Sequence, residues 1–347
     1  MNSPVLMELH RRLGAVFGAE RLEHYGDPAA EYRAGLDTAL LFDASGRDLL
    51  LVTGEERLSF IQGLCTNDVE GLAEGHACEA AFITPKGRLV CDARIVKLDD
   101  ALLFDLASGR GAALAELLSK YRIHESVEWL PANDLLCVLE LWGPCAAAAV
   151  GLETLGVGDG AAVAIDGHEA VAVGTPFGAV LYVPASEAAG FAAAAGRAVE
   201  ARGGRWAGHR AVEAHRVRLG IGRFGVDFDE TSNPLEAGLD RMLSYRKGCY
   251  VGQEVVAKAT YIGQVSRRLV RLSWAGEPVA VSTPLVGPRT PGRLTSVAAV
   301  PGEDRTVALG VVRRDAAARG TVLTLGETGR TVIVDGYPVG SKDKPVP

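Results

Sequence analysis

An α+β chain that ends in a small all-β domain is what the sequence predicts, and three observations carry that prediction. Short apolar strand-like runs pass into segments of helical period after residues 49–52 and again after 135–141. Between these transitions, residues 80–83, 89–96 and 101–106 read as antiparallel strands joined by turns, the first turn being Pro85-Lys86-Gly87. From Val265 onward, short β-branched runs alternate with Gly and Pro, the pattern of a barrel or sandwich. At 347 residues the chain exceeds one ordinary core, so two or three domains are expected.

The elements follow in order. Leu6, Leu9, Leu13 and Val16 lie at helical spacing, which predicts an amphipathic helix over 4–17. A turn over 24–28 precedes a second helix opened by Pro28, whose missing amide hydrogen has no intrahelical partner at that position. After the strand 49–52, Thr53 and Glu56 have capping-box spacing, and Leu58, Ile61 and Leu64 form the buried stripe of the next helix. A helix over 112–118 follows the three antiparallel strands. Gly143-Pro144 opens an alanine-rich helix, and a strand over 180–183 leads into a helix over 186–199 that Gly203-Gly204 ends. Five further strands are expected at 269–272, 279–281, 307–312, 321–325 and 331–334, then a polar tail over 341–347.

With 48% hydrophobic and 23% charged residues, the composition is that of a folding chain. The net charge of −7 argues against a protein that coats nucleic acid along its whole surface. No run approaches the length of a membrane helix, and Glu8 precedes any sustained apolar core, so neither a membrane span nor a secretory signal is expected. Six cysteines form no C-x-x-C pair, and the seven histidines are scattered. Reduced thiols, a cytoplasmic location and no bound metal are the resulting expectations. Asp227, Asp229 and Glu230 read as a solvated acidic loop, with metal coordination as the alternative.

The most informative stretch is 246–254, where two glycines, a cysteine and three charged side chains make a poor core element and a good presenting loop. Cys249 stands just before an expected helix that begins at Gly252 or Gln253, with Lys247 close by, and both features favour a reactive thiolate. The alternative is a small cysteine buried in a tight turn. Residues 241–271 hold seven cations against Glu254 alone, and 202–218 hold five against Glu213 alone. Such patches suit a polyanionic ligand, a carboxylate tail or a phosphate backbone, or else form a solvated basic face.

Lys247-Gly248-Cys249-Tyr250-Val251-Gly252-Gln253-Glu254 is similar to the K-G-C-Y/F-x-G-Q-E signature of the YgfZ-type folate-binding proteins. These are relatives of the glycine cleavage T-protein (aminomethyltransferase) and of a mitochondrial iron–sulfur assembly factor. Leu41-Phe42-Asp43, the segment 63–69, Pro85-Lys86-Gly87-Arg88, the segment 224–228 and Glu236-Ala237-Gly238-Leu239 resemble the family in the same order. The resemblance implies a T-protein-like fold of interwoven α+β domains. These would be a folate-binding-like core over 1–48 and 126–262, a ferredoxin-like part over 49–125, and a C-terminal β-barrel over 263–340. It further implies tetrahydrofolate or a derivative as ligand and a role in iron–sulfur cluster assembly or repair. Iron–sulfur client or assembly proteins would be its partners, tRNA-modifying enzymes among the clients. Catalytic candidates are Cys249 and Asp92. Cofactor-binding candidates are Asn67, Asp92, Glu213, Arg218, Tyr245, Lys247, Gln253 and Glu254.

Two departures bear on function. Where the aminomethyltransferase branch carries paired aspartates, this chain has Cys91-Asp92, and a neutral thiol does not replace a carboxylate electrostatically. Where relatives carry a pterin-binding glutamate, the aligned residue is Arg218, a donor that cannot accept the pterin's hydrogens, with Glu213 the nearest substitute. An accessory factor rather than a conventional enzyme is therefore expected. A tetrahydrofolate-dependent aminomethyl- or methyltransferase and a non-catalytic RNA- or protein-binding module are the alternatives. Against nucleic acid, the basic stretch holds few aromatics, chiefly Tyr245, Tyr250 and Tyr261.

Overall fold

Short apolar runs, some alternating and some continuous, become the strands of this chain. The structure, a computed structural model, describes residues 5–19, 21–261, 265–287, 292–339 and 341. The chain folds as two units built from interleaved segments: 1–62, 68–79 and 93–212 in the first, and 63–67, 80–92 and 213–347 in the second.

In the first unit, a six-stranded sheet has the order Gly160–Ile165, His168–Thr175, Gly178–Pro184, Leu136–Trp142, Leu40–Asp43 and Arg205–Trp206. All neighbours are antiparallel except the last pair. The helix Ala188–Glu200 contributes Phe191, Ala192, Ala195 and Val199 to a buried cluster with Leu139, Leu141 and Leu181. The pairing Ile165↔His168 leaves Asp166-Gly167 as a two-residue hairpin turn with positive φ at both positions, the conformation that Asp-Gly favours. The sequence reading missed both strands of this hairpin, because their alanines are weak strand formers.

A five-stranded antiparallel sheet has the order Ala77–Ile83, Leu89–Lys97, Ala101–Leu106, Asp48–Thr53 and Glu128–Pro131. Its first two strands run on into the second unit, which takes residues 80–83 and 89–92 of them. The helix Gly111–Tyr121 and the helix Pro28–Asp37 stand where expected, the latter capped by Asp27, which accepts from the amides of Ala29 and Ala30. Two local expectations change. The first helix spans only Met7–Arg12, because Gly14 takes φ +78° and Val16–Phe17 pairs as a strand with Leu22–His24; residues 1–4 lie outside the described residues. The capping box does not form: the helix is Arg57–Leu64, and the Glu56 carboxylate instead accepts from the Ser126 amide at 2.7 Å.

Beneath the first unit's surface lies an ion cluster. Asp105, fully buried, accepts from Arg47, from Arg94 at 2.7 Å and from the Tyr182 hydroxyl at 2.9 Å. Burial alone would raise the Asp105 carboxyl, but Arg47 and Arg94 outweigh it and hold it below the ordinary carboxylate range. In the unfolded chain the carboxyl takes up its proton near pH ~3.9. The stability it contributes is therefore complete above that value and lost as pH falls through the lower folded value. Urea denaturation between about pH 5 and pH 2 is expected to show this loss, and in Asp105→Asn the acid dependence should flatten.

In the second unit a closed barrel runs Arg267–Ala275, Arg305–Arg313, Gly292–Ala299, Pro284–Val286, Val322–Leu325 and Arg330–Gly336. Val270, Leu272, Leu285, Leu294, Leu323, Val332 and Val334 fill it, each contributing about 1.5–3 kcal/mol by leaving water. The strand expected at 279–281 lies outside any strand, and Gly292–Ala299 replaces it in the barrel; its run Thr295-Ser296 masks the alternation. From 342 onward the expected tail lies outside the described residues. Among the described residues no helix is long and apolar enough to cross a membrane.

Candidate functional site: a clamped cysteine loop

The loop between Met242 and the helix Gln253–Tyr261 belongs wholly to the second unit, and its anchors come from the segment 63–67 of the same unit. Thr66 is fully buried; its hydroxyl donates to the Met242 carbonyl at 2.7 Å and accepts from the Ala81 amide at 2.9 Å. The Ser244 amide then donates to the Thr66 carbonyl, and the Val251 amide to the Gly63 carbonyl. Between these ties Lys247 turns inward. Its ammonium donates to the carbonyls of Cys65 and Asn67, both at 2.8 Å, and lies 3.8 Å from the Cys65 sulfur. The Tyr250 ring lies 5.3 Å from the same ammonium, within cation–π range. Gly252 closes the loop with φ +81°; a Cβ there would come within 2.5 Å of the Thr84 carbonyl oxygen, so only glycine fits.

Held at both ends, the loop leaves Cys249 exposed as a free thiol. The sequence placed Lys247 beside Cys249 as an activating cation. In the structure that ammonium is instead committed to Cys65 and Asn67. The buried Cys65 thiol is pushed up by its burial, and Lys247 offsets this only in part, so Cys65 stays protonated near neutral pH. Burial, followed by the nearby Tyr245 and Cys65, pushes the Tyr250 hydroxyl up to about 12. Cys249 is thus the accessible sulfur of the loop, and Cys65 its packed counterpart.

The remaining candidates fall into separate groups. Asn67 joins the clamp through its main-chain carbonyl. Tyr245 is partly exposed, its hydroxyl 3.5 Å from that of Thr260. Gln253 donates its amide to the Tyr250 carbonyl, and the exposed Glu254 pairs with Lys258 one turn along the helix, at 2.6 Å. Cys91 and Asp92 are successive residues of the strand Leu89–Lys97. Cys91 is buried, and Asp92 falls on the opposite face beside the half-buried positions of Val90 and Arg94.

Glu213 is engaged in ion pairs. It accepts from Arg216 at 2.7 and 2.9 Å and from Arg223 at 2.9 Å. Arg216 also donates to Asp227 at 2.9 Å, to Ser296 at 2.6 Å and to the Ile221 carbonyl at 2.6 Å. Asp227 is therefore neither solvated nor part of a metal site: it is buried on Arg216, with Thr295 and Ser296 donating to its other oxygen. Among the described residues no cluster of three or more His, Cys, Asp or Glu side chains could hold a metal. The expected basic face is also depleted, because Lys247 and Arg268 are buried and Arg268 donates to the Leu235 carbonyl. At the two positions where the family resemblance implies a pterin-binding carboxylate, Glu213 is held by arginines and Arg218 supplies only donors. These residues do not fit the donor edge of a pterin.

Sequence reasoning missed Thr66 and Cys65 as parts of the site. Their signal was present: a Cys-Thr-Asn run directly after a helix places polar groups where a buried stripe ends.

Such a chain, with an α+β body, a closed barrel and a clamped thiol loop, is of the aminomethyltransferase fold class. It superposes on the glycine cleavage system aminomethyltransferase T of Bartonella henselae with a TM-score of 0.82, over 96% of each chain at 22% identity. The family model described as the GCVT N-terminal domain matches residues 6–247, and the chain belongs to that family. It is 28% identical to the aminomethyltransferase of Thermotoga petrophila over 81% of this chain and 80% of that protein. It is also 28% identical to a mitochondrial iron–sulfur cluster assembly factor of Mycosarcoma maydis, an IBA57 homolog, over 72% of this chain. The match spans 61% of that factor's length.

Proposed function

We propose that this protein is an accessory factor for iron–sulfur cluster assembly or repair that acts through the Cys249 loop. It would serve iron–sulfur enzymes, tRNA-modifying ones among them, in the cytoplasm. The observation that carries the reading is a free, exposed cysteine on a loop fixed by Lys247, Thr66 and Gly252 while its buried neighbour stays protonated. Fixing the loop lowers the ordering cost of presenting a sulfur to a partner. The relative named as an iron–sulfur assembly factor supports the same reading. The test is complementation: a strain lacking the gene receives wild-type or Cys249→Ala protein, and the activity and cluster content of iron–sulfur enzymes are measured. Equal rescue by both would overturn the reading.

Tetrahydrofolate-dependent aminomethyl transfer is the second reading, supported by the relatives named aminomethyltransferases. Against it stand Cys91 in place of a carboxylate and the lack of a pterin acceptor at 213 and 218. A direct consequence is that Arg218→Glu is expected to bind tetrahydrofolate roughly tenfold or more tighter than wild type, the effect of restoring a charged hydrogen-bond acceptor. Calorimetric titration under reducing conditions checks this, and equal affinities would show that position 218 does not read the pterin.

A further inference from the structure

Away from the cysteine loop, the second unit gathers arginines where four segments meet. The helix His209–Leu219 ends there, and the Leu219 carbonyl accepts from the Val339 amide. Gly220 follows with φ +80° and packs so closely that a Cβ would lie 2.6 Å from Pro338 and 3.0 Å from the Arg271 side chain. Arg271 comes from the strand Arg267–Ala275 and pairs in register with Gly336. Its Nε donates to the Tyr337 carbonyl at 2.8 Å and one Nη to the Arg218 carbonyl at 3.1 Å. Its neighbour Leu272 pairs with Val334, which exchanges main-chain hydrogen bonds with Gly320 and Thr321, and this brings the exposed Arg319 to the same edge.

The charges at this junction do not balance. Among the described residues, the charges acting on the Arg271 guanidinium are the carboxylate of Asp335, which also accepts from the Ser273 hydroxyl at 3.1 Å, and the guanidinium groups of Arg218 and Arg319. Both side-chain bonds of Arg271 go to neutral carbonyls. Among the described residues Arg218 Nε is buried and has no hydrogen-bond partner, although the side chain as a whole is only half-buried. A buried donor left without an acceptor costs about 1–3 kcal/mol, and it persists beside like charges only where something else compensates. Burial, and against the pull of Asp335 the charges of Arg218 and Arg319, hold the Arg271 guanidinium below its ordinary range.

We propose that Arg218, Arg271 and Arg319 form a binding site for an oxyanion group, a phosphate or carboxylate carried by a small molecule. Guanidinium forks match the paired oxygens of both groups. Arg271 is the fixed base, held by two carbonyls. Arg218 supplies the unused buried donor, and the exposed Arg319 closes the site from solvent. This site does not depend on the Cys249 reading.

Inorganic pyrophosphate and succinate are the probes, titrated calorimetrically into full-length protein at constant ionic strength set with chloride. Saturable binding of at least one probe is expected, weakened roughly tenfold in Arg218→Gln and in Arg319→Ala, the loss of one charged hydrogen bond. Arg319 is exposed and Arg218→Gln keeps a side-chain donor, so both variants should fold, which circular dichroism verifies. A preference for pyrophosphate identifies a phosphate ligand and a preference for succinate a carboxylate ligand. Binding no stronger than that of chloride, or affinities unchanged in both variants, overturns the proposal.

Discussion

Cys249→Ala is expected to abolish support of iron–sulfur enzymes while leaving the melting temperature within about 1–2 °C of wild type. The thiol is exposed and, among the described residues, no hydrogen bond ties it into the loop clamp, so its removal costs no buried contact and surface changes of this kind stay within about 0.5 kcal/mol. A fall of tenfold or more in client activity with unchanged stability would place the effect in sulfur chemistry and not in folding. The control is Cys65→Ala, which removes a fully buried side chain bonded to the Asn67 carbonyl and beside Lys247. It should lose stability first and function only in proportion. A Cys249→Ala protein that melts many degrees lower would show instead that the loop depends on its cysteine for packing.

The second large effect belongs to Arg216. Its guanidinium serves Glu213, Asp227, Ser296 and a main-chain carbonyl at once. Burial opposes its charge, and Glu213 and Asp227 outweigh that and raise its pKa above the ordinary range. Arg216→Met leaves the buried Asp227 facing two hydroxyls and an amide with no cation at its side, and a loss of about 3–5 kcal/mol is expected. Arg223→Ala removes only the partly exposed pair to Glu213, and should cost less than about 1 kcal/mol. Urea unfolding of the two variants measures the contrast. Similar losses would mean that the network is solvated.

Much of the architecture could be read from residue order because strands and helices announce themselves locally. The stretches 80–83 and 101–106 are short apolar runs and 89–96 alternates, Pro28 and Asp27 mark a helix start, and Gly/Pro punctuation sets off the C-terminal barrel. The alanine-rich hairpin from Gly160 to Thr175 hid because alanine favours neither its pairing nor its turn, leaving Asp166-Gly167 as the only cue. The site divided in the same way. Cys249 stood out because two glycines and several charges cannot make a core element. The destination of Lys247 did not, since Cys65 lies 182 residues away. The run of arginines from 202 to 218 looked like an outward basic face. Nothing in a linear charge count reveals that Asp227, eleven residues past Arg216, draws one of them inward.

The interleaving of segments has a consequence for biosynthesis. Leu64, Cys65, Phe82, Ile83 and Leu89 leave the ribosome early, yet their unit is completed only by residues 213–347, made last. These side chains therefore wait in the growing chain without their burial partners. The wait is a window for aggregation and chaperone capture, and it predicts slow refolding from denaturant, because contacts so distant in sequence must close before they stabilise anything. Dividing the gene at residue 212 would leave the second unit incomplete, since its segments 63–67 and 80–92 would stay with the N-terminal half.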